Sequence, residues 1–446
     1  MPAAIDRDLL MACKYVKKDD RDGTCTIRIA NVDDVKFPAE ELSYKAGKDG
    51  PELDSKAHSW VNYFKAGLKG VLSHITMEKT AWTLELNILT DGNVPPGGGL
   101  SSSAAMVVSS ALLLLVCYDE IHITTQGQLA TIAIDSERLV GVDSGGMDQS
   151  ASIFSKRDHL LNVGFVPKLV VTLVKFPEVP ALSYVVANTL VTSEKQKTAK
   201  FNYNLRVVEM RVAAAILAHK LDLDMPTTMP TPKHIMDAYF QSPLSHPSQT
   251  DFLKERQRRL GIMLDVVERI FGANKEQNSW SEVYESLGGI TAEMFKETFH
   301  PSFEIEAKGL KLYKRAKHAY SEARRVYQYR GLLEGAERSD TGLAEKLGNL
   351  MNDSQTSCRD LFECSCPEID EVCRIARASG SLGSRVSGAG WGGCTVHLVP
   401  QKLERMLIEA LKKEYYATNF PNLSNQELQE AVFATRPEEG ACLYLL

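Results

Sequence analysis

A run of glycines and serines ahead of an apolar segment is the strongest chemical feature of the sequence. Gly97–Gly99 are followed by Leu100 and then by three serines, Ser101–Ser103. Glycines let backbone N–H groups approach an anion closely, and a helix start adds unpaired N–H groups and a positive dipole end. The pattern favours a polyphosphate cradle, with serine hydroxyls as further donors or as a magnesium ligand. The segment is not the GxxxxGK[ST] loop, because no lysine follows the glycines, and a serine-capped helix after a glycine turn is the alternative.

Two carboxylates some forty residues further on could complete such a site. Glu137 lies in a predicted helix on a side that also carries Val140, where a carboxylate needs a compensating partner such as Mg²⁺. Asp148 follows Gly145 and Gly146, which would let a substrate approach the backbone. A carboxylate there could accept or orient the proton of an attacking hydroxyl. An ordinary helix cap followed by a turn aspartate is the alternative interpretation.

Alternating strand-like and helix-like segments must position these residues. β-Branched and apolar runs predict strands at Ile5–Cys13, Thr24–Ala30, Trp82–Leu89 and Leu169–Phe176. Apolar spacings of three and four predict helices at Ser59–Ile75, Ala104–Cys117 and Gln128–Val140. The apolar run within Ala104–Cys117 is shorter than the roughly 20 residues a membrane span needs, so it is predicted to be a buried helix.

The second half of the chain has a more helical texture. Predicted helices are Leu205–Leu221, Leu253–Phe271, Gly309–Leu333 and Leu403–Tyr416, and predicted strands lie within Gly383–Pro400 and at Ala441–Leu445. The proline-rich stretch Met225–Gln249 is predicted to be a long surface connection or insertion. Two α+β domains, 1–200 and 201–446, fit this pattern.

Composition limits the class of partner and the compartment. The chain has 446 residues and a formal charge of −6, with an isoelectric point near 6.0, which argues against a nucleic-acid partner. No basic region followed by an apolar run opens the sequence, and its nine cysteines are an odd number. Together these features predict reduced thiols and a cytoplasmic location, with no membrane partner. A zinc site at Cys358–Cys373 is a weaker alternative to buried structural thiols, because the usual CxxC pairs and a nearby histidine are missing.

Three motifs occur in the order found in one known family. Pro96–Ala105 resembles the ATP motif of the galactokinase branch of the GHMP small-molecule kinases, Gly145–Gln149 resembles its catalytic aspartate segment, and Gly383–Val396 resembles its C-terminal glycine-rich motif. Trp60–Tyr63 and Asn202–Arg206 are similar to the same branch. The resemblance runs along the whole chain and is greatest to fungal members. It implies a two-domain α+β fold with an N-terminal α/β domain of the ribosomal-protein type and a ferredoxin-like C-terminal domain.

The resemblance also implies roles for individual residues. The ATP phosphates would be held by Gly97, Gly98, Gly99, Leu100, Ser101, Ser102 and Ser103, with Mg²⁺ on Ser103 and Glu137. Trp60 and Tyr63 would lie beside the adenine. Asp148 would act on the anomeric hydroxyl of the sugar, which Gly145 and Tyr203 would contact. Gly388, Ala389 and Gly390 would close the site from the C-terminal domain.

The sequence departs from the family pattern in three places. Arg138 stands where a histidine is common, and Val386-Ser387 replace Leu-Thr. The larger departure is a missing signature, Gly-Arg-x-Asn-Leu-Ile-Gly-Glu-His-x-Asp-Tyr, which carries most sugar contacts in the family. Because the match begins just after that signature, near Pro2–Ile5, we expect first a truncated gene model or an alternative start, and second a degenerate paralogue. We expect the printed sequence to bind MgATP and to turn over sugar poorly.

The function implied by the resemblance is phosphorylation of galactose at its anomeric hydroxyl, with ATP and Mg²⁺ as cofactors. An N-acetylgalactosamine kinase is an alternative within the same class. A non-catalytic galactose sensor that binds a repressor protein is an alternative of a different class. That sensor has a shortened serine run, whereas Ser101–Ser103 are intact here, which favours catalysis.

Overall fold

A computed structural model describes most of the chain as two compact units. The described residues are 1–20, 23–47, 49–54, 59–95, 99–140, 145–191, 198–225, 227, 229–241, 249–273, 275–301, 303–335 and 342–444. Unit 1 comprises Met1–Phe176 together with Thr435–Leu446, and unit 2 comprises Pro177–Ala434.

A four-stranded sheet forms the base of unit 1. Its strands are β1 (Leu9–Lys18), β2 (Thr24–Asn31), β3 (Glu40–Lys45) and β4 (Thr83–Gly92), in the spatial order β1-β4-β2-β3. β1 and β4 are antiparallel, β2 and β4 are parallel, and β2 and β3 are antiparallel. Residues alternate along each strand, so that Leu84, Leu86 and Ile88 are buried while Glu85 and Leu89 are exposed. This alternation places one face of the sheet in the core of unit 1.

Helices cover the buried face. They are α1 (Val61–His74), α2 (Met77–Thr80), α3 (Ser102–Cys117), α4 (Gln126–Leu139) and α5 (Met147–Phe154). Two glycines of α1 allow close packing: a Cβ on Gly67 would lie 2.8 Å from Ser110 Cβ of α3, and one on Gly70 would lie 2.0 Å from Ser136 Oγ of α4. These contacts bring α3 and α4, which carry Ser103 and Glu137, against the same helix.

A hairpin of two strands, β5 (His159–Gly164) and β6 (Val170–Lys175), follows α5 in unit 1.

The segment after residue 434 also belongs to unit 1. Glu438 pairs with Ala4, and the backbone N–H groups of Gly440 and Ala441 donate to the carbonyls of Ser155 and Ser152. Unit 1 is therefore assembled from two parts of the chain that lie on either side of unit 2 in the sequence.

Unit 2 is mainly helical. Its described α-helices are α6 (Tyr203–Lys220), α7 (Pro232–Phe240), α8 (Gln249–Phe271), α9 (Trp280–Ser286), α10 (Ala292–Phe299), α11 (Leu312–Gly335), α12 (Leu343–Ser357), α13 (Pro367–Ala378), α14 (Glu404–Leu411), α15 (Ala417–Asn419) and α16 (Asn425–Ala431). Two π-helical turns, Cys358–Phe362 and Lys412–Tyr416, continue α12 and α14. A short 3₁₀ turn, Gln401–Leu403, precedes α14.

The sheet of unit 2 contains four strands in the order β10-β7-β9-β8. They are β7 (Leu182–Asn188), β8 (Gly383–Val386), β9 (Cys394–Pro400) and β10 (Val432–Thr435). β9 is antiparallel to both β7 and β8. β7 follows Pro177 and pairs with β9, so it belongs to unit 2. The boundary between the two units therefore lies at Phe176/Pro177. The family domains at 1–200 and 201–446 stay a prediction.

The predicted strand at Ala441–Leu445 is wrong within the described residues, the first strand is displaced, and the proline-rich stretch, whose insertion stays a prediction, contains a helix. Residues 441–444 form no strand, and the last strand is β10, because the backbone of Gly440 and Ala441 bonds to the residues after α5 instead. The proline-rich stretch contains α7, which Pro232 starts without losing a helix bond and which buries Ile235 and Met236. The first strand begins at Leu9 rather than at Ile5.

Within the residues that the structure describes, no helix is long and apolar enough to cross a membrane. The nine cysteines all fall in this part of the chain, and none of them forms a disulfide.

Candidate functional site

The start of α3 holds the described part of the predicted phosphate loop. Gly97 and Gly98 lie outside the described residues. Gly99 has a φ of 74° and Ser101 a φ of 63°. Ser101 is the N-cap residue of α3, and its side chain makes no capping hydrogen bond. Left-handed backbone at Ser101 costs about 1–2 kcal/mol, and such strain is concentrated at ligand-binding sites.

Ser103 and Glu137, predicted as magnesium ligands, are in direct contact. Ser103 Oγ donates to Glu137 Oε1 at 2.6 Å, which joins the start of α3 to the last turn of α4. Glu137 is only 3% exposed. We call Ser103, Glu137 and the amide of Gln149, which donates to Glu137 Oε2, the acidic centre. Its oxygen atoms are hard donors of the kind that Mg²⁺ prefers.

Asp148 lies next to Gln149 in the first turn of α5. Its side chain is exposed, whereas Gln149 is completely buried. Gly146 caps the helix with a φ of 86°, and a Cβ there would lie 2.4 Å from Ile134 Cδ1 of α4. This close approach, together with the bond between Gln149 and Glu137, fixes the helix that carries Asp148 to the helix that carries Glu137.

Tyr63, predicted to lie beside the adenine, is also near Glu137. Burial raises the pKa of Tyr63, and the negative charge of Glu137 raises it further. Trp60, one turn earlier, donates from its indole nitrogen to the carbonyl of Pro38 at 3.0 Å and packs edge-on against Phe37. The start of α1 therefore places Tyr63 within electrostatic reach of the acidic centre, while Trp60 packs toward Phe37.

Five further predicted residues do not belong to the acidic centre, and each lies within one of the two units. Gly145, in unit 1, precedes the Gly146 cap and is exposed. Tyr203 is the first residue of α6 in unit 2 and is 40% exposed. In the glycine-rich loop of unit 2, Gly388 and Gly390 have φ values of 75° and 90°, on either side of Ala389.

Comparisons with known proteins identify the family. The family model of the GHMP kinases N terminal domain matches residues 62–156, and the family model of the GHMP kinases C terminal matches residues 332–417. The galactokinase of Saccharomyces cerevisiae is 37% identical over 471 residues, which cover 100% of this chain and 87% of that protein. The chain belongs to the galactokinase family. Its members are GHMP kinases, so this chain is a sugar kinase of an ATP-using family.

Other members of the galactokinase family are similarly close. The galactokinase of Schizosaccharomyces pombe is 35% identical, with 100% of this chain and 88% of that protein covered. The galactokinase of Dictyostelium discoideum is 33% identical, with 99% and 85% covered. The solved structure of Lactococcus lactis galactokinase complexed with galactose has a TM-score of 0.64 at 19% identity and covers 98% of this chain and 87% of that chain. That match confirms the two-domain α+β fold predicted from the galactokinase resemblance.

The sequence prediction for this galactokinase-family chain overlooked the role of Gln149. The residue is part of the quoted motif, but a glutamine beside a candidate catalytic aspartate has no special pattern of its own. The available signal was its place after two glycines on a short helix facing α4, where a buried amide must find a polar partner. The structure shows that this partner is Glu137.

Proposed function

We propose that this chain transfers the γ-phosphoryl group of ATP to the anomeric hydroxyl of galactose, giving galactose 1-phosphate and ADP. The observation that carries the proposal is the acidic centre, in which Ser103 and Glu137 meet at the start of the α3 helix beside the helix of Asp148. Sugar identity is supported by the curated relatives, which are galactokinases.

The phosphate groups of ATP are assigned to the start of α3. Unpaired backbone N–H groups and the helix dipole favour anions there, and the side chains of Ser101–Ser103 add donors. Ser103 and Glu137 would hold Mg²⁺, which when bound supplies charge neutralisation on the phosphate oxygens. Tyr63 and Trp60 stay assigned to the adenine, and Gly97 and Gly98 to the phosphates.

Asp148 is the residue we assign to the sugar hydroxyl. Its carboxylate is exposed while the residue after it is buried, so the short helix presents the acid to solvent and anchors itself through Gln149. In this position Asp148 would accept the hydroxyl proton, or orient the hydroxyl for attack on the γ-phosphorus. Gly145 and Tyr203 stay assigned to sugar contacts, and Gly388–Gly390 to contact with bound substrates.

The compartment belongs to the same proposal. Nine thiols without a disulfide suit a reducing environment, so we assign the reaction to the cytoplasm.

An ADP-release assay with galactose, with N-acetylgalactosamine and with no sugar tests the proposed function. We expect ADP release that depends on galactose. Activity restricted to N-acetylgalactosamine would reassign the substrate. Nucleotide binding without turnover of either sugar would contradict the kinase function and favour a sensor.

A further inference from the structure

A cluster of buried charges in unit 2 has no role in the assignments above. We call Arg206 and Glu209 of α6, Arg315 of α11 and Glu363 the arginine cluster. Glu209 Oε2 accepts from Arg315 Nε at 2.6 Å and from Arg206 Nη1 at 3.2 Å. Glu363 Oε2 accepts from Arg315 Nη2 at 3.0 Å and lies 3.6 Å from Arg206 Nη2. Arg315 and Glu209 are each 1% exposed.

The cluster holds the backbone of the π-helical turn that follows α12. Arg206 Nε donates to the carbonyl of Phe362 at 2.6 Å, and Arg315 Nη1 donates to the carbonyl of Leu361. Glu363, directly after the turn, also accepts from Lys311 Nζ at 2.7 Å. Burial alone would raise the pKa of Glu363, but these cationic partners lower it to about 2, so the carboxylate stays charged.

The next residue along, Cys364, supports the glycine-rich loop. Its carbonyl accepts the backbone N–H of Trp391 at 2.7 Å. A Cβ on Gly390 would lie 2.1 Å from the same carbonyl oxygen, so only glycine fits there. The Arg206 guanidinium also lies over the Trp391 ring, 5.7 Å from its centroid, as in a cation–π contact. Arg206 thus touches both the loop and the segment that supports it.

Two residues at the hydrogen bond between Trp391 and Cys364 have a strained backbone, namely Trp391 itself and Glu363, which directly precedes Cys364. Glu363 has a φ of 59° and Trp391 a φ of 55°, both in the left-handed region that glycine normally occupies. Backbone strain of this kind is unfavourable and is concentrated at functional sites. A buried ion-pair network is also often no more stable than well-packed apolar residues of similar size. Stability alone is therefore a poor explanation for the cluster.

We propose that Arg206 is a positioning residue for the sugar-kinase reaction, which fixes the glycine-rich loop through Trp391 and through the carbonyl of Phe362. It lies one helical turn after Tyr203, so it ties the sugar-contact end of α6 to the loop Gly388–Gly393. The inference rests on the proposed function for the substrate roles of Tyr203 and the loop. The contacts of Arg206 do not depend on it.

Arg211 supplies a matched control on the same helix. Its Nη1 donates to the carbonyl of Phe299 at 3.1 Å, so it also binds a backbone oxygen, but that oxygen belongs to α10 rather than to the loop support. The variants are Arg206→Met, Arg206→Lys, Arg211→Met, Trp391→Leu and the double variant of Arg206→Met with Trp391→Leu. Lysine keeps the charge but loses the planar fork, so Arg206→Lys tests geometry in a protein whose ion pairs are retained.

Two measurements are made on the full chain and on each variant. Steady-state kinetics give kcat and KM for galactose, and hydrogen–deuterium exchange follows the peptide that contains the Trp391 amide. Arg206→Met should lower kcat/KM by about 10- to 100-fold, as small displacements of substrate-positioning groups do. It should also speed exchange at the Trp391 peptide, and Arg206→Lys should fall between it and the parent. Arg211→Met should stay within about twofold of the parent in both measurements, whatever it does to the melting temperature.

The double variant decides whether Arg206 acts through Trp391. A double variant no worse than the poorer single variant supports a shared role, because residues that act as one unit are not additive. Multiplied losses in kcat/KM, or equal behaviour of Arg206→Met and Arg211→Met, would overturn the inference. If the parent protein phosphorylates no sugar, the proposed function fails, and the exchange comparison by itself still supports or overturns the positioning role of Arg206.

Discussion

Glu137 in unit 1 and Glu209 in unit 2 are both almost completely buried, yet the hydrogen-bond donors described for them differ in charge. Glu137 accepts hydrogen bonds from a serine hydroxyl and a glutamine amide, both neutral. Glu209 accepts from two arginines and from the backbone N–H of Lys311. A carboxylate between two arginines is neutralised by charged groups of the protein itself, whereas we assign the carboxylate of Glu137 to a bound Mg²⁺ ion. We therefore propose the same residue type for ligand binding in unit 1 and for support in unit 2.

The largest expected effect comes from Asp148, which has the most direct assigned role in unit 1. Asp148→Asn should lower kcat by about 10²- to 10⁴-fold, because the amide cannot accept the hydroxyl proton. Nucleotide affinity, measured by calorimetry with ADP, should change little. The matched control is Asp251→Asn, an aspartate in the first turn of α8 in unit 2, which should leave kcat unaltered. Unchanged turnover in Asp148→Asn would remove this residue from the mechanism.

The pair Glu137→Gln and Glu209→Gln tests the comparison directly. Glu137→Gln should weaken MgADP binding by about 100-fold, since even outer residues of metal sites are worth about 10- to 100-fold. Glu209→Gln should instead lower the free energy of unfolding by about 3–5 kcal/mol, because it leaves arginine charge uncompensated in the core. Calorimetry with and without Mg²⁺ and denaturant unfolding separate the two effects. Exchanged phenotypes would contradict the division between ligand binding and support.

The contacts of these two glutamates also differ in how much of them could be predicted from the sequence. The proximity of Ser103 and Glu137 was implied by the family resemblance, which assigned both side chains to one Mg²⁺ ion, although the hydrogen bond between them was not predicted. The arginine cluster could not, because it joins residues 206, 209, 315 and 363, and nothing local in the sequence specifies that they meet. Gln149 was missed although its position after two glycines was a signal, because that position does not identify its partner Glu137 on another helix. The predicted strand at Ala441–Leu445 failed because apolar composition alone does not reveal which backbone groups are available for pairing.

A smaller effect is the dependence of the free energy of unfolding on pH. It concerns a buried histidine that supports unit 2 and has no assigned ligand. His397 in unit 2 is completely buried between Ser384 Oγ and Thr395 Oγ1, at 2.9 and 2.8 Å. Burial lowers its pKa from 6.5 to about 3. The folded state therefore favours the neutral ring, so its stabilisation is complete above pH 6.5 and is lost as the pH falls toward 3. At pH 5 the loss should be about 2 kcal/mol.

Denaturant unfolding at pH 7 and pH 5 measures this loss. His397→Gln, which cannot titrate, should reduce the difference in unfolding free energy between the two pH values by about 2 kcal/mol. A second contribution of the same sign is expected from His318, whose pKa burial lowers to about 4. An identical pH dependence in His397→Gln and the parent would exclude His397 as its source.

The smallest expected effect comes from Gln149, which binds Glu137 without contacting substrate. Gln149→Met keeps the approximate shape and removes the amide, and we expect about a 10-fold rise in the Mg²⁺ concentration needed for half-maximal nucleotide binding. The control is Gln126→Met, which removes an amide that donates to Ile153 at the other end of α5. A shift in both variants would mean that α5 responds to any loss of anchoring, and Gln149 would have no particular link to the acidic centre.

The return of residues 435–441 to unit 1 has a consequence for biosynthesis. Gly440 and Ala441 bond to the residues at the end of α5, whose other end carries Asp148. A ribosome makes residues 177–434 before it makes this closing segment, so unit 2 can fold while unit 1 still lacks its last piece. The helix of Asp148 is thus secured only after residues 435–441 have followed the whole of unit 2 out of the ribosome. A fusion partner or deletion placed at the C-terminal side of the chain would act on the helix of Asp148, far away in the sequence.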